Sequence, residues 1–405
     1  MLLNPPSSSS LGDDRACLLT PPHHGGARFS TLAALTMAGV TDADRCPGVL
    51  RPHLAQDGAV VRIRFPGGQT TGAALGRLSG IAQQFGSGDL QLTSRAGVQL
   101  RGLPDPVPAA LIAAVQEAGF LPSETHERVR NIIASPLSGI SGGLADVRPL
   151  VADLDEGLCA EPRLASLPTR FLFVVDDGRG DVSVRPFDLG YRAVDHDHGW
   201  LLLGAADLGI SVPASHAADM LLALAREFLA ASWQSGDVWH VRELRSWSTS
   251  VPGVRTINLP LERTDVPLGA VGGAASVQVP LGSLTPAQAA TIEAASATGR
   301  VVITPSRGLV LPGAAARLPE LVAAGFIDDA SSPWSAISAC VGAPSCQKSL
   351  IDTRAYAMRL AEFGHALPRT HISGCERRCG APAGAHHDLV APTAASPLVL
   401  VGESR

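Results

Sequence analysis

Alternating apolar and polar positions in VVRIRF (60–65) predict a half-buried strand, and helical spacing follows in TGAALGRLSGIAQQFG (71–86). A second strand is entered through LQLTSRAGVQLRG (90–102). The same order returns later: a strand SVQVPL (276–281), a helix LTPAQAATIEAASATG opened by the cap at Ser283–Thr285 and by Pro286, then VVITPSRGLVLPG (301–313). Setting Thr93 on Thr304 also places Gly97 on Gly308, Leu100 on Leu311 and Gly102 on Gly313, which reads as a duplicated α+β unit split by an inserted segment. In that alignment Arg101 faces Pro312 and Arg95 faces Ser306, with Arg307 displaced by one position.

Between the copies, RNIIASPLSGISGG (130–143) reads as a loop, and LPTRFLFVVDDGRGDVSV (167–184) as a buried strand running into an acidic turn. The pattern divides the chain into an extension at 1–44, expected to be flexible, a first half repeat at 45–125, an α+β domain at 126–255, a second half repeat at 256–325 and a C-terminal domain at 326–405. The Thr31–Val40 stretch is too short to span a bilayer, so a soluble, cytoplasmic protein is expected.

Charge sharpens this picture. The 405 residues carry a formal net charge of -5, yet residues 45–101 hold seven arginines against Asp57 and Asp89. A basic stretch in an acidic chain points to an anionic ligand. Aromatics are only 4% of residues, without a stacking motif, which argues against nucleic acid. Of the 32 basic residues only Lys348 is lysine, so guanidinium forks suited to carboxylates dominate.

Four of the seven cysteines form two pairs, Cys340/Cys346 and Cys375/Cys379. A disulfide framework suits small secreted chains, not this one. The spacing leaves open an iron-sulfur cluster, a zinc site or no site, with the five-residue gap weakly against zinc.

Cys-five-Cys followed by Cys-three-Cys resembles the [4Fe-4S] signature of the siroheme sulfite and nitrite reductases. Thr93-Ser94-Arg95 resembles their TxR strand motif and Arg130-Asn131 their RN loop. Within that superfamily, RCPGVLR (45–51), LTSRAGVQLRGL (92–103), RNIIASPLSG (130–139), FLFVVDDGRGDVS (171–183), TPSRGLVLPG (304–313) and the cysteine pairs resemble the precorrin-3B synthase family. The resemblance implies an α+β fold of two ferredoxin-reductase-like half repeats in pseudo-two-fold arrangement, with nitrite/sulfite-reductase-like α+β domains carrying the cluster. It implies Cys340, Cys346, Cys375 and Cys379 as cluster ligands and a mononuclear non-haem iron beside it. The implied reaction hydroxylates precorrin-3A at C20 and closes a γ-lactone, using dioxygen and two electrons from a separate reductase or ferredoxin. Arg95, Arg101, Arg130 and Arg170 are the expected carboxylate partners of such a substrate, with Asn131 a polar contact.

The reductases also resemble one another in a lysine pair after a Leu-Pro. Here Leu167-Pro168-Thr169-Arg170-Phe171-Leu172 offers one arginine and one apolar residue. That departure weighs against the alternatives of a siroheme-dependent sulfite or nitrite reductase; a non-catalytic carrier or tetrapyrrole-binding protein is the third reading. Asp195, His196 and His198 could form an iron facial set but read more simply as a solvated turn. His371, four residues before Cys375, could tune the cluster or bind metal. The charged Glu376-Arg377-Arg378 between Cys375 and Cys379 departs from the family pattern.

Overall fold

The computed structural model describes residues 46–236, 238–259, 265–296, 298–362, 368–382, 385–391 and, for the backbone, 399–404. The extension expected at 1–44 lies outside the described residues. The first segment runs β1 (His53–Ala55), β2 (Gly58–Ile63), β3 (Gln69–Thr71), α1 (Gly72–Phe85), β4 (Leu90–Leu92), β5 (Val98–Leu103) and α2 (Ala109–Glu117). The middle segment contributes β6 (Ile132–Ala134), α3 (Arg148–Ala160), β7 (Phe173–Asp176), β8 (Leu189–Ala193), β9 (His198–Leu203), β10 (Leu208–Pro213), α4 (Ala217–Ser235), α5 (Arg245–Ser250) and β11 (Arg255–Thr256). The later segment has β12 (Gly269–Val271), β13 (Ala274–Gln278), β14 (Ser283–Leu284), α6 (Pro286–Ala295), β15 (Arg300–Ile303), β16 (Gly308–Leu311) and α7 (Leu318–Ala323). The chain ends with α8 (Pro333–Ala336), β17 (Ile337–Ala339), α9 (Thr353–Glu362), β18 (Thr370–Ser373), β19 (His386–Val390) and β20 (Val399–Ser404). No described helix is long and apolar enough to cross a membrane.

The first and third segments are built by the same local chemistry. Thr71 Oγ1 accepts from Ala74 N–H to start α1, and Thr285 Oγ1 accepts from Gln288 N–H to start α6. The hairpin before β5 closes when Gly97 N–H donates to Thr93 Oγ1 at 3.1 Å; before β16, Gly308 N–H donates to Thr304 Oγ1 at 2.9 Å. The left-handed residue in each hairpin is Ala96 (φ 55) or Arg307 (φ 64), so Arg307 occupies the place of Ala96 and is the displaced basic residue of the alignment.

Each segment completes the other's sheet. One sheet has the order β1-β2-β5-β4-β14 and its counterpart β12-β13-β16-β15-β3, so β14 and β3 have changed places. Helices α1 and α6 pack together over one core that joins Leu75, Leu78 and Leu100 to Ile292, Val301 and Leu309.

The middle sheet has the order β11-β10-β9-β8-β7-β6, parallel from β6 to β8 and antiparallel beyond. In its core Phe171 packs against both Phe173 and, from α4, Phe228. Residues 132–134, read as loop from the Ser/Gly/Pro content around them, form strand β6; three buried residues are too few to show a period against such neighbours. The C-terminal sheet, β17-β18-β19-β20, is again parallel over three strands and antiparallel at the last, with α9 joining its first two as α3 joins β6 to β7.

Candidate functional site

Strand β2 puts Val61 and Ile63 into the core and therefore turns Arg62 and Arg64 to the opposite face. That face meets the middle segment. Arg64 Nε donates to Asn131 Oδ1 at 2.9 Å and its Nη1 to the Glu127 carbonyl at 2.9 Å, while Asn131 Nδ2 donates to the Thr169 carbonyl at 2.9 Å. Arg95, from the hairpin beside β5, donates from Nη2 to the Arg170 carbonyl at 2.9 Å. Arg170 itself reaches over the Trp239 ring.

Positive charge is crowded and dry here. Burial, then the neighbouring Arg62, lowers Arg64 to about 9; burial also lowers Arg62 and Arg95. Arg62 Nε, Arg64 Nη2 and Arg95 Nη1 are buried without a hydrogen-bond acceptor among the described residues. Each buried unanswered donor costs on the order of 1–3 kcal/mol, so a carboxylate-bearing ligand placed here would recover several of these losses at once. Glu127 opposes the charge only partly, because its carboxylate is engaged by the N–H groups of Val49 and Leu50.

The residues expected from sequence divide into two groups. Arg95, Asn131 and Arg170 come together at this face. Arg101 instead closes a two-bond fork on Asp57 at 3.0 and 2.9 Å, and Arg130 closes one on Asp155 at 2.7 and 2.6 Å. Both forks expected to receive ligand carboxylates are thus taken by carboxylates of the chain. Arg62 and Arg64, not singled out from sequence, stand at this face instead. The signal was present: in VVRIRF the two arginines alternate with core residues. The Leu-Pro segment follows suit, with Arg170 exposed and Leu172 packed among Val174, Phe187 and Leu202.

The four paired cysteines lie in the C-terminal segment, on the loops following β17 and β18, and all are free thiols. Burial raises the Cys379 thiol; Arg377 lowers it, and Cys340, Cys375 and Cys346 raise it further. Four thiols on two adjoining loops are a donor set that an iron-sulfur cluster accepts. Gly374 N–H donates to Cys340 Sγ at 3.3 Å, and a Cβ on Gly374 would lie 1.7 Å from Ser349 Oγ, so the backbone there tolerates no side chain. Arg307 Nη2 holds the Gly380 carbonyl at 3.0 Å, tying the later half repeat to the cysteine loop. His371 is fully buried with Nδ1 2.9 Å from Ser338 Oγ; burial, then Arg307, lowers it to about 4, so it is neutral beside the thiols.

Between β13 and β17 lies a cavity of about 350 Å³, lined among others by Gln278, Thr304, Arg307, Ser338 and Arg369. Asp195, His196 and His198 sit in the exposed β8–β9 turn, where Asp195 accepts from the N–H groups of Asp197 and His198 at 2.8 Å. That open turn does not fit a resident iron.

The nitrite/sulfite reductase ferredoxin-like half-domain family matches residues 53–118. A precorrin-3B synthase from Sinorhizobium sp is 26% identical over 392 residues, spanning 88% of this chain and 82% of its own. A ferredoxin–nitrite reductase from Synechococcus elongatus is 24% identical over 386 residues, spanning 80% and 74%. The solved structure of the NirA protein of Mycobacterium tuberculosis superposes with a TM-score of 0.66 at 19% identity, over 84% of this chain and 73% of NirA, a likeness of fold.

Proposed function

Resemblance to precorrin-3B synthase within the nitrite/sulfite reductase superfamily is the premise from which we propose that this chain is an oxygen-dependent monooxygenase acting on precorrin-3A. The reaction would place one oxygen atom at C20 and close a γ-lactone from the ring A acetate. The second oxygen atom would leave as water, with two electrons from an external reductase or ferredoxin and two protons. The observation that carries the reading is the dry arginine face: Arg62, Arg64 and Arg95 hold three unanswered donors beside Asn131 and Arg170. A macrocycle edged with carboxylates, precorrin or siroheme, supplies acceptors at several points, and the apolar Leu172 where the reductases carry a second lysine favours the precorrin.

Cys340, Cys346, Cys375 and Cys379 would hold a [4Fe-4S] cluster, which supplies single electrons when bound. The chain's own part is to bind and orient. Asn131 fixes the angle of Arg64, the Arg170 carbonyl fixes Arg95, and the aliphatic Leu172 keeps the middle sheet's apolar face sealed.

A siroheme-dependent nitrite reductase is the second reading, supported by nitrite reductase relatives of near-equal similarity. The experiment is anaerobic incubation of the purified chain with precorrin-3A and a reductant, followed by oxygen. The expected product is heavier by one oxygen atom. Siroheme absorbance with nitrite turnover and no such product would overturn the proposal in favour of the second reading.

A further inference from the structure

The middle and C-terminal segments share more than strand order. Ser135 N–H donates to the Val175 carbonyl at 3.1 Å, as Cys340 N–H does to Ile372 at 2.9 Å. Asp177 N–H donates to Ser135 Oγ at 3.1 Å where Gly374 N–H donates to Cys340 Sγ at 3.3 Å. Leu144 N–H donates to the Asp177 carbonyl at 2.6 Å where Leu350 N–H donates to Gly374 at 2.9 Å, and Ser141 N–H meets the Leu137 carbonyl at 3.0 Å where Cys346 N–H meets Gly342 at 2.8 Å. The two loops that carry cysteines in the C-terminal segment therefore have counterparts in the middle segment, with Ser135 and Ser141 in place of Cys340 and Cys346. Those counterpart loops carry carboxylates.

Asp176, Asp177 and Asp181 each bring a ligand atom within 4.8 Å of the others, and they are 0%, 0% and 8% exposed. Internal partners account for only part of this charge. Asp177 receives a fork from Arg179, with bonds of 2.8 and 2.6 Å. Asp176 accepts from the N–H groups of Gly178, Gly180 and Ser183. Asp181 Oδ1 accepts from Ser135 Oγ at 2.6 Å; its Oδ2 pairs loosely with Arg179 Nε at 3.9 Å and is buried with no hydrogen-bond partner among the described residues. A second orphan lies on the same loop: the hydroxyl of Ser183, 2% exposed, has no hydrogen-bond partner among the described residues although its own N–H holds Asp176. Burial, with Asp176 and Asp177 beside it, raises Asp181 to about 7, so the buried carboxyl keeps its proton over much of the range unless a cation completes the set and takes up the charge.

We infer that Asp176, Asp177 and Asp181 form a divalent-cation site, occupying in the middle segment the place that the cysteine loops occupy in the C-terminal one. An all-oxygen donor set selects hard, oxygen-preferring ions of the Mg²⁺, Mn²⁺ and Fe²⁺ class over thiophilic ones. The site stands apart from the thiols and does not depend on the proposed reaction.

Mn²⁺ is the probe, because it prefers oxygen ligands to the cysteines and its free aquo form is counted directly by EPR. Titration of the purified full-length, cluster-containing chain should show one tightly held Mn²⁺ per chain, displaced by excess Mg²⁺. Asp181→Asn keeps the shape and the Ser135 contact and should weaken binding at least tenfold, with acid-labile sulfide content unchanged. Mn²⁺ should also raise the Tm of the wild type and leave that of Asp181→Asn unmoved. Absence of a bound ion in the wild type overturns the inference, as does wild-type affinity in a folded Asp181→Asn chain. Should that variant lose its sulfide, Asp177→Asn and the wild-type titration decide the matter by the same criteria.

Discussion

Two arginines of the first segment, six residues apart, have opposite fates. Arg101 spends its Nε–Nη2 edge as a two-bond fork on Asp57, whereas Arg95 spends Nη2 on a carbonyl and leaves Nη1 unanswered. Arg95→Lys should therefore weaken binding of a carboxylate-edged tetrapyrrole roughly tenfold, about 1.4 kcal/mol, since a point charge cannot replace a fork. Arg101→Lys should leave that affinity unchanged and lower stability by about 1 kcal/mol or less. Absorbance titration of the two variants separates them; equal losses would refute the distinction. Glu127 adds a pH signature. Its carboxyl is raised, mainly by burial, so the folded state holds the proton at pH values where the unfolded chain has released it. Stability from this group is complete below the unfolded value and falls as pH rises through the folded one. Glu127→Gln should remove that decline from urea-unfolding free energies measured across the mildly acid range. Sequence exposed the basic stretch but not this division. A residue's neighbours in sequence do not reveal that Asp57 and Asp155 lie opposite Arg101 and Arg130.

At the scale of elements, glycines show which turns are committed. Gly80, on an exposed face of α1, has open space where a Cβ would go, so Gly80→Ala should raise stability by about 0.5–1 kcal/mol through helix propensity, read as a higher Tm. Gly374 is the opposite case. Its missing side chain would strike Ser349, and its N–H must reach Cys340 Sγ, so Gly374→Ala should lose most of the bound iron and sulfide by chemical assay. A partial return of sulfide on adding Ser349→Gly would identify the clash as the cause. The hairpins at Thr93–Gly97 and Thr304–Gly308 were legible from sequence because their chemistry is local and needs those residue types. Strands β3 and β14 were not: two or three residues show no period, and their partners are more than 190 positions away. The likeness of the Ser135 and Cys340 loops was hidden for a different reason, since it lies in backbone hydrogen bonds that many side chains permit.

The exchange of β3 and β14 governs how the whole molecule holds together. Ser283 and Leu284 pair with Gln91 and Leu90, while Gln69–Thr71 pairs with residues Arg300–Val302, so each half-repeat sheet has an outer strand from the other half of the chain. Removing either half would strip an edge from the remaining sheet and open the shared face of α1 and α6, where Leu75, Leu78 and Ile292 are fully buried. Those three side chains alone represent roughly 1.5–3 kcal/mol each of burial, a large fraction of the stability of an ordinary domain. A bared sheet edge also invites non-native pairing. A chain divided between Leu259 and Asp265 should therefore yield two pieces that aggregate when expressed singly and copurify when expressed together. The pair should melt with a transition that neither piece shows alone, because the core under α1 and α6 closes only when both pieces are present. Soluble, independently melting halves would show that the exchanged strands are incidental to the fold.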